Sequence, residues 1–287
     1  MVPYQIYLEE LRVRHWIKNL LVFTPAFFTL QIYKSITDRH LFFAFISFCL
    51  AASIVYVIND LRDVVADKIN PNNKNRPYAS GMLSIKEMYL MIFVLSVLLF
   101  AGLSVSRIWT PYILYIFVNI MYSTFLKKIP LLDMLAICLG FELRIWAGAD
   151  AINVALSQWL ISMVFLLALF LVLSKRRAEV MQFSVTGIAL RENISFYKKL
   201  PFRSILYGVA SLIFLLYMAY CFSPEIQSRL GEGLYLTSFF VAAGLSRYLY
   251  LILGKYSLKY PTDIIWKDFL LQVVFIAWAL SLFILIY

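Results

Sequence analysis

Residues 41–67 read LFFAFISFCLAASIVYVINDLRDVVAD. The run through Ile58 is apolar or small, close to the ~20 residues that carry a helix across a hydrocarbon core. Its apolar character is continuous rather than alternating, which sets aside a membrane β-barrel. Asn59, Asp60, Asp63 and Asp67 follow at once. If the helix continues through Asp67, a rotation of about 100° per residue places all four on one arc of about 100°. Carboxylates stacked in this way repel one another, so they need a cation beside them or they titrate upward. Two readings stay open here. In one, the acids hold Mg²⁺, which takes oxygen ligands and keeps places for water and phosphate oxygens. In the other, they form a solvated helix end paired with Arg62 and Lys68.

The rest of the chain sets the context. Of 287 residues, 62% are hydrophobic and 15% charged, with a mean hydropathy of +0.81. That leaves too little polar surface for a water-soluble domain of this length. Apolar segments recur at roughly 18–33, 40–58, 87–105, 109–126, 131–149, 157–174, 204–222, 234–252 and 268–287. The expected fold is all-α: a polytopic integral membrane protein with nine transmembrane helices, a single domain over residues 1–287. The opening MVPYQIYLEELRVRHW contains Glu9 and Glu10 and no small-residue cleavage pattern, so no removable signal peptide is expected. Cys49, Cys138 and Cys221 lie in apolar segments and read as small hydrophobes.

With the N-terminus in the cytoplasm, alternating segments place most basic residues inside. These are Arg12, Arg14 and Lys18, the stretch from Arg62 to Lys86, Lys127 and Lys128, the stretch from Lys175 to Arg203, and Lys255, Lys259 and Lys267. The outer loops hold Lys34, Arg39, Arg107 and Arg229. This is the positive-inside pattern, and it turns NDLRDVVAD toward the cytoplasm of a cell membrane. Topology and anionic headgroups account for most of the net charge of +10 without nucleic acid. Elaborate loops at about 59–86, 175–203 and 253–267 fall on this same face, where function is sought. After the aspartates, Asn70, Pro71, Asn72, Asn73 and Asn75 favour turns. Lys74 and Arg76 then return positive charge toward the acids. A carboxylate–metal cluster flanked by such cations suits a polyanionic leaving group.

The pattern N-D-x-x-D-x-x-x-D, followed by Asn75-Arg76-Pro77 and Ser80-Gly81, resembles the first aspartate motif of the UbiA-type intramembrane prenyltransferase superfamily. Further stretches resemble its decaprenyl-phosphate (polyprenyl-phosphate) phosphoribosyltransferase branch: RHWIKNLLVFTP (14–25), LKKIPLLD (126–133), GFELRIWAG (140–148), LSKRRAE (173–179), SRYLYL (246–251) and YPTD (260–263). The resemblance implies nine helices around a cytoplasm-facing cavity, Mg²⁺ as cofactor, and a homo-oligomer. It implies 5-phosphoribose 1-diphosphate and a polyprenyl phosphate as substrates. Asn59, Asp60, Asp63 and Asp67 would hold the metal. Asp60, Asp63, Lys18 and Arg144 would be catalytic. Lys74, Arg76, Lys127, Lys128, Asp133, Lys175, Arg176, Arg177 and Arg247 would bind substrate. A second motif D-x-x-x-D, usual in the prenyl-diphosphate enzymes of the superfamily, is not found; Asp263 and Asp268 are spaced one residue too far. A donor with a diphosphate and a 5-phosphate, and an acceptor with a lipid phosphate, call for cations more than for a second acidic cluster.

Several of these residues carry a plainer alternative. Arg144, on the same face as Asp133 and flanked by Gly140 and Gly148, reads as a phosphate ligand or as a buried partner of Glu142 or Asp150. Arg247 reads as a phosphate ligand or as a cation–π partner of Tyr248 or Tyr250. Lys175 reads as a ligand or as an i,i+4 partner of Glu179. His15 and Trp16 read as interfacial anchors. Two other functions stay in view. One is a prenyltransferase using an isoprenyl diphosphate and an aromatic or other small acceptor. The other is a lipid-phosphate carrier, which would place basic residues on both membrane faces.

Overall fold

The computed structural model describes residues 3–29, 39–69, 73–187, 189, 191–255, 264 and 267–286. Among them every regular element is helical. The chain forms two compact units, one of Met1–Lys127 with Leu139–Leu156, the other of Lys128–Cys138 with Ser157–Tyr287.

In the first unit the Arg39–Ile69 helix is central, packed against Ile85–Ser106, Val13–Phe23 and Thr110–Thr124. It runs without a break through the apolar stretch and past Asp67. Nothing in its sequence interrupts the hydrogen-bond ladder before the Asn-Pro-rich turn. Val22, Phe48, Ala51, Leu99, Tyr112, Leu143 and Ala147 form the core around it. Gly148 lets the backbone of the 3₁₀ stretch come close: a Cβ there would stand 1.9 Å from the Val22 carbonyl oxygen. The Ile85–Ser106 helix starts on a capping box, in which the Ser84 hydroxyl accepts from the Glu87 N–H and the Glu87 carboxylate accepts from the Ser84 N–H.

In the second unit Gln158–Thr186 packs against Phe202–Phe222, and Ser238–Tyr250 against Phe269–Ile286. Phe170, Leu173, Tyr197, Leu206, Ile213, Tyr248 and Leu251 are buried together. The Ser238–Tyr250 helix passes into a π-helical turn at Leu251–Lys255.

Among the described residues, five helical segments are long and apolar enough to cross a membrane: Arg39–Ile69, Ile85–Ser106, Gln158–Thr186, Phe202–Phe222 and Glu232–Gly254. Ile85–Ser106 makes the case most directly. Its most apolar window is only 22% buried, and Tyr89, Leu90, Phe93, Val97 and Phe100 all point outward. A contiguous apolar face of that size is tolerable in lipid and costly in water. The other segments expected to span differ in form. The described part of the 18–33 segment is not one α-helix: Val13–Phe23 is 3₁₀ and Thr24–Phe28 is a separate short helix with Pro25 in its first turn. Pro25 has no N–H to continue the preceding ladder. Thr110–Thr124 is short, with 15 residues. Leu132–Ala151 is interrupted in polarity by Asp133, Glu142, Arg144 and Asp150. The stretch 268–287 appears as the apolar helix Phe269–Ile286.

Candidate functional site

The last turns of Arg39–Ile69 carry the acids, and three cations reach them from elsewhere in the first unit. Arg12 Nη2 donates to both Asp60 carboxylate oxygens, at 2.5 and 2.7 Å. Arg76 Nη1 bridges Asp60 Oδ1 at 3.1 Å and Asp67 Oδ2 at 2.6 Å. Asn73 Nδ2 adds a hydrogen bond to Asp67 Oδ1 at 2.7 Å. Lys127 Nζ stands 3.0 Å from Asp63 Oδ1. Asp60 and Asp67 are buried, whereas the Asp63 side chain is 40% exposed. Asn59 Oδ1 accepts from the Ser123 hydroxyl. Lys74 is exposed in the turn that carries Asn73 and Arg76.

The structure therefore brings Asp60, Asp67 and Arg76 together as expected, and pairs Asp63 with Lys127. It does not stack all four polar side chains into a ready cage. Among the described residues no group of three or more His, Cys, Asp or Glu is set to hold a metal ion. The reason is visible in the pairing: guanidinium and ammonium groups neutralise the carboxylates, and the cations are Arg12, Arg76 and Lys127 rather than the neighbours Arg62 and Lys68. The donor set still fits Mg²⁺ in kind, since it is all oxygen. The buried Glu10 carboxyl beside it is hydrogen-bonded to Asp60.

Arg12 is brought over Asp60 by a left-handed backbone at φ 51°, which ends the Tyr4–Glu10 helix and starts the 3₁₀ stretch. Its guanidinium also lies 4.7 Å from the Tyr56 ring centre. The Ser53 hydroxyl, donating to the Leu11 carbonyl at 2.9 Å, and Trp16 Nε1, donating to that hydroxyl at 3.1 Å, fix this crossing. Glu10, in the last turn of the Tyr4–Glu10 helix, is 1% exposed. Burial and the nearby Asp60 carboxylate push its carboxyl up to about 7.

Arg144 is 5% exposed and held by neutral partners. Nε donates to Asn19 Oδ1 at 2.8 Å, Nη1 to the Gly140 carbonyl at 2.5 Å and Nη2 to the Tyr115 hydroxyl at 3.3 Å. Tyr115 and Phe48 rings flank the guanidinium at 4.9 and 5.2 Å. These groups, rather than Glu142 or Asp150, are its partners. Lys18 is half-buried within electrostatic reach of Arg144 and Arg12. Three cations concentrated in this way form a field that attracts anions.

The second unit holds a different ionic group. Arg176 Nε is 3.0 Å from Asp133 Oδ2, and its Nη1 donates to Glu179 Oε2 at 2.7 Å. Arg191 Nε donates to the same Glu179 oxygen at 2.8 Å, and the Tyr197 hydroxyl donates to Asp133 Oδ1. Burial and the Asp133 bond push the Tyr197 phenol up to about 12. Asp133 and Arg176 were set toward substrate by sequence; the structure turns them to each other, both at 0% exposure. Arg177 donates to the Ile252 carbonyl at 2.5 Å and the Leu253 carbonyl at 3.3 Å, holding the start of the π-helical turn. Lys128 pairs with Glu192 at 3.0 Å on the surface. Arg247 Nη2 pairs with Asp268 Oδ2 at 2.8 Å and lies 5.5 Å from the Tyr250 ring. Lys175 is within electrostatic reach of Glu179. Asp263 and the YPTD stretch lie outside the described residues. Arg12, Glu10, Arg191 and Tyr197 were missed by sequence as site residues; Arg12 stands at the head of R-x-R-H-W, the signal that could have found it.

The UbiA prenyltransferase family model matches residues 20–259. A decaprenyl-phosphate phosphoribosyltransferase of Mycolicibacterium smegmatis is 30% identical, with 94% of this chain and 89% of that protein covered. One from Corynebacterium glutamicum is 28% identical, with 98% and 86% covered. Among solved structures, a UbiA homolog from Archaeoglobus fulgidus bound to DMAPP and Mg²⁺ matches with a TM-score of 0.70 at 18% identity, over 96% of this chain and 98% of that one.

Proposed function

From the premise that this chain belongs to the UbiA prenyltransferase family, as a multi-pass membrane transferase, we propose the reaction it catalyses. It transfers the 5-phosphoribosyl group from 5-phosphoribose 1-diphosphate to a polyprenyl phosphate and releases diphosphate. The names of the relatives from M. smegmatis and C. glutamicum support this substrate pair. The observation that carries the reading is the uninterrupted Arg39–Ile69 helix, which delivers Asp60, Asp63 and Asp67 beyond an apolar span into the reach of Arg12, Arg76 and Lys127. We place this helix end on the cytoplasmic side of the cell membrane, in a nine-helix topology with the N-terminus inside, as the distribution of Lys and Arg favours.

Asp60 and Asp67, with Asp63 and Asn59 beside them, are the residues that would hold Mg²⁺. When bound, the ion would neutralise diphosphate oxygens as charge develops on the leaving group. Arg76 and Lys127 exchange carboxylate oxygens for diphosphate oxygens of similar geometry, so the cations that stabilise the acids also receive the substrate. Lys74, exposed in the same turn, joins them. Lys18 and Arg144 hold an anion among the first unit's helices; Arg144 is pre-positioned by Asn19, Gly140 and Tyr115. The donor's C1–O bond to diphosphate breaks as a C1–O bond to the acceptor's phosphate forms on the opposite face, with inversion. Diphosphate leaves with the bonding pair. The acceptor phosphate is already anionic near neutral pH, so no strong base is required. Rate enhancement is then electrostatic and positional. In the second unit, Lys128, Lys175, Arg177 and Arg247 are proposed phosphate-binding residues. Arg176 and Asp133 support them by fixing helix positions.

The test supplies purified protein with Mg²⁺ and each donor in turn, and follows diphosphate release and lipid mass. A polyprenyl-phosphate product heavier by one phosphoribosyl group supports the proposal. Release only from an isoprenyl diphosphate with a small acceptor assigns the prenyltransferase reaction instead. Movement of polyprenyl phosphate across liposomes without chemical change assigns a carrier.

A further inference from the structure

The helices Ser238–Tyr250 and Phe269–Ile286 of the second unit pack together and are joined by the pair Arg247–Asp268. Asp268 stands at the head of the Phe269–Ile286 helix. Its Oδ1 accepts from the Leu271 N–H at 2.9 Å, the bond an N-cap makes. Its backbone is held on both sides: the N–H donates to the Ile264 carbonyl at 3.1 Å, and the carbonyl accepts from the Gln272 N–H at 3.2 Å. The carboxylate side chain is 6% exposed. It cannot turn toward another cation without breaking the cap.

This fixed carboxylate grips one edge of Arg247. Oδ1 accepts from Nε at 3.1 Å and Oδ2 from Nη2 at 2.8 Å. Two bonds to a planar fork set the plane of the guanidinium as well as its place. Because Asp268 takes the Nε–Nη2 edge, the Nη1 end is directed away from it. The Tyr250 ring lies against the same group, 5.5 Å from the guanidinium carbon. The main chain under Arg247 is pinned as well. Phe170 packs on Tyr248 with ring centres 5.3 Å apart, and Arg177 holds the Ile252 and Leu253 carbonyls of the π-helical turn that follows. The Arg247 side chain is nevertheless 29% exposed, whereas Arg176 and Asp133 in the same unit are closed at both ends. A half-open guanidinium whose orientation is fixed by a buried acid is what bidentate recognition of a phosphate requires.

We propose that Asp268 is a positioning residue for the reaction. It acts through Arg247, setting the guanidinium to take a substrate phosphate with the end turned away from the carboxylate. This rests on the reading above in which Arg247 binds phosphate. Asp268 lies outside the N-D-x-x-D-x-x-x-D motif, and its role needs no metal. The ligand chemistry is a phosphate group, which the donor and the acceptor lipid both carry.

Steady-state kinetics of the full chain in detergent, with each substrate varied in turn, test the proposal beside thermal melts. Asp268→Asn keeps an oxygen for the Leu271 N–H and puts an NH₂ where Nη2 needs an acceptor. Asp268→Ser still caps the helix and removes the carboxylate from Arg247. Both variants should keep the Tm of the unaltered protein within a few degrees. Both should raise KM for one substrate about tenfold and change kcat far less. The substrate whose KM moves, donor or acceptor, identifies the phosphate. In an Arg247→Gln background, Asp268→Asn should add less than about twofold, because the group it acts through is gone. A lowered Tm with both KM values unchanged would make Asp268 a structural clasp and overturn the proposal. Equal losses with and without Arg247 would also overturn it. If the unaltered protein accepts an isoprenyl diphosphate and not phosphoribosyl diphosphate, the proposed function falls, and the same measurements with that donor decide the role of Asp268. Turnover of neither donor overturns both.

Discussion

Each unit contains a knot of acidic and basic side chains, and the two are built to different ends. In the second unit Asp133 and Arg176 have no exposed surface, and Glu179, Arg191 and Tyr197 balance their charges, while Arg176 Nη2 keeps no hydrogen-bond partner among the described residues. In the first unit the same chemistry is left partly open. Arg12, Arg76 and Lys127 are 20%, 30% and 30% exposed as side chains, and Asp63 40%. A sealed network has nothing to give to a ligand, since breaking it strands a buried charge. A half-open one can trade a carboxylate for a diphosphate oxygen at little cost. The difference separates a knot that holds helices from one that can bind and release a polyanion.

The sharpest way to break this comparison is to neutralise one acid in each knot. Asp60→Asn retains an acceptor for Arg12 and Arg76 and should remain folded. It should lose about 10³-fold in turnover, as removal of a group that positions transition-state charge does. Lipid-product mass spectrometry beside a thermal melt reads both quantities. Arg176→Met should do the reverse. It leaves Asp133 and Glu179 short of a buried partner and costs about 3–5 kcal/mol of stability, visible as a lowered Tm or loss of folded protein. A stable Arg176→Met enzyme with only a raised KM for the donor would return Arg176 to the substrate.

A smaller effect tests whether packing, rather than charge, sets the first unit's geometry. Gly148→Ala drives a methyl against the Val22 carbonyl, 1.9 Å from where the Cβ must go. The 3₁₀ stretch that carries Lys18 and Asn19 has to move. Destabilisation of about 1–3 kcal/mol is expected, and with it a loss of activity, because Asn19 orients Arg144. Thermal unfolding and initial rates on the same preparation separate the two. Wild-type values for both would mean that Arg144 is positioned without help from this crossing.

How far this contrast could be read from sequence depends on distance along the chain. The helix through Asp67 was legible because its determinants are local: apolar residues without a break, then Asn and Pro. The approach at Gly148 was legible in outline from small residues beside Arg144. The Asp60–Arg12 and Asp133–Arg176 pairs were not, because nothing near either partner encodes the other. The first depends on a left-handed residue at Arg12 and a 3₁₀ stretch after it. Without that geometry Arg12 was only one more basic residue, and Glu10 only an acid near the N-terminus. Arg144 reads from sequence as a phosphate ligand or as a buried partner of Glu142 or Asp150; its partners are instead amide, carbonyl and phenol groups, which leave no charge pattern to find.

The adjacent lysines bring the comparison down to its smallest scale. Lys127 belongs to the first unit and pairs with Asp63; Lys128 belongs to the second and pairs with Glu192. Both pairs are exposed enough that water screens them, so Lys127→Ala and Lys128→Ala should each change stability by less than about 1 kcal/mol. Their effects on the reaction should differ. Losing the Lys127 ammonium removes a charge-assisted bond to diphosphate, and KM for the donor should rise about tenfold with the melt unchanged. Lys128 pairs with Glu192, outside the acidic motif, rather than with one of the aspartates that would hold the metal, so Lys128→Ala should raise KM for the donor by much less. Equal shifts in KM would mean that pairing with an acid of the motif is not what marks a donor-binding lysine.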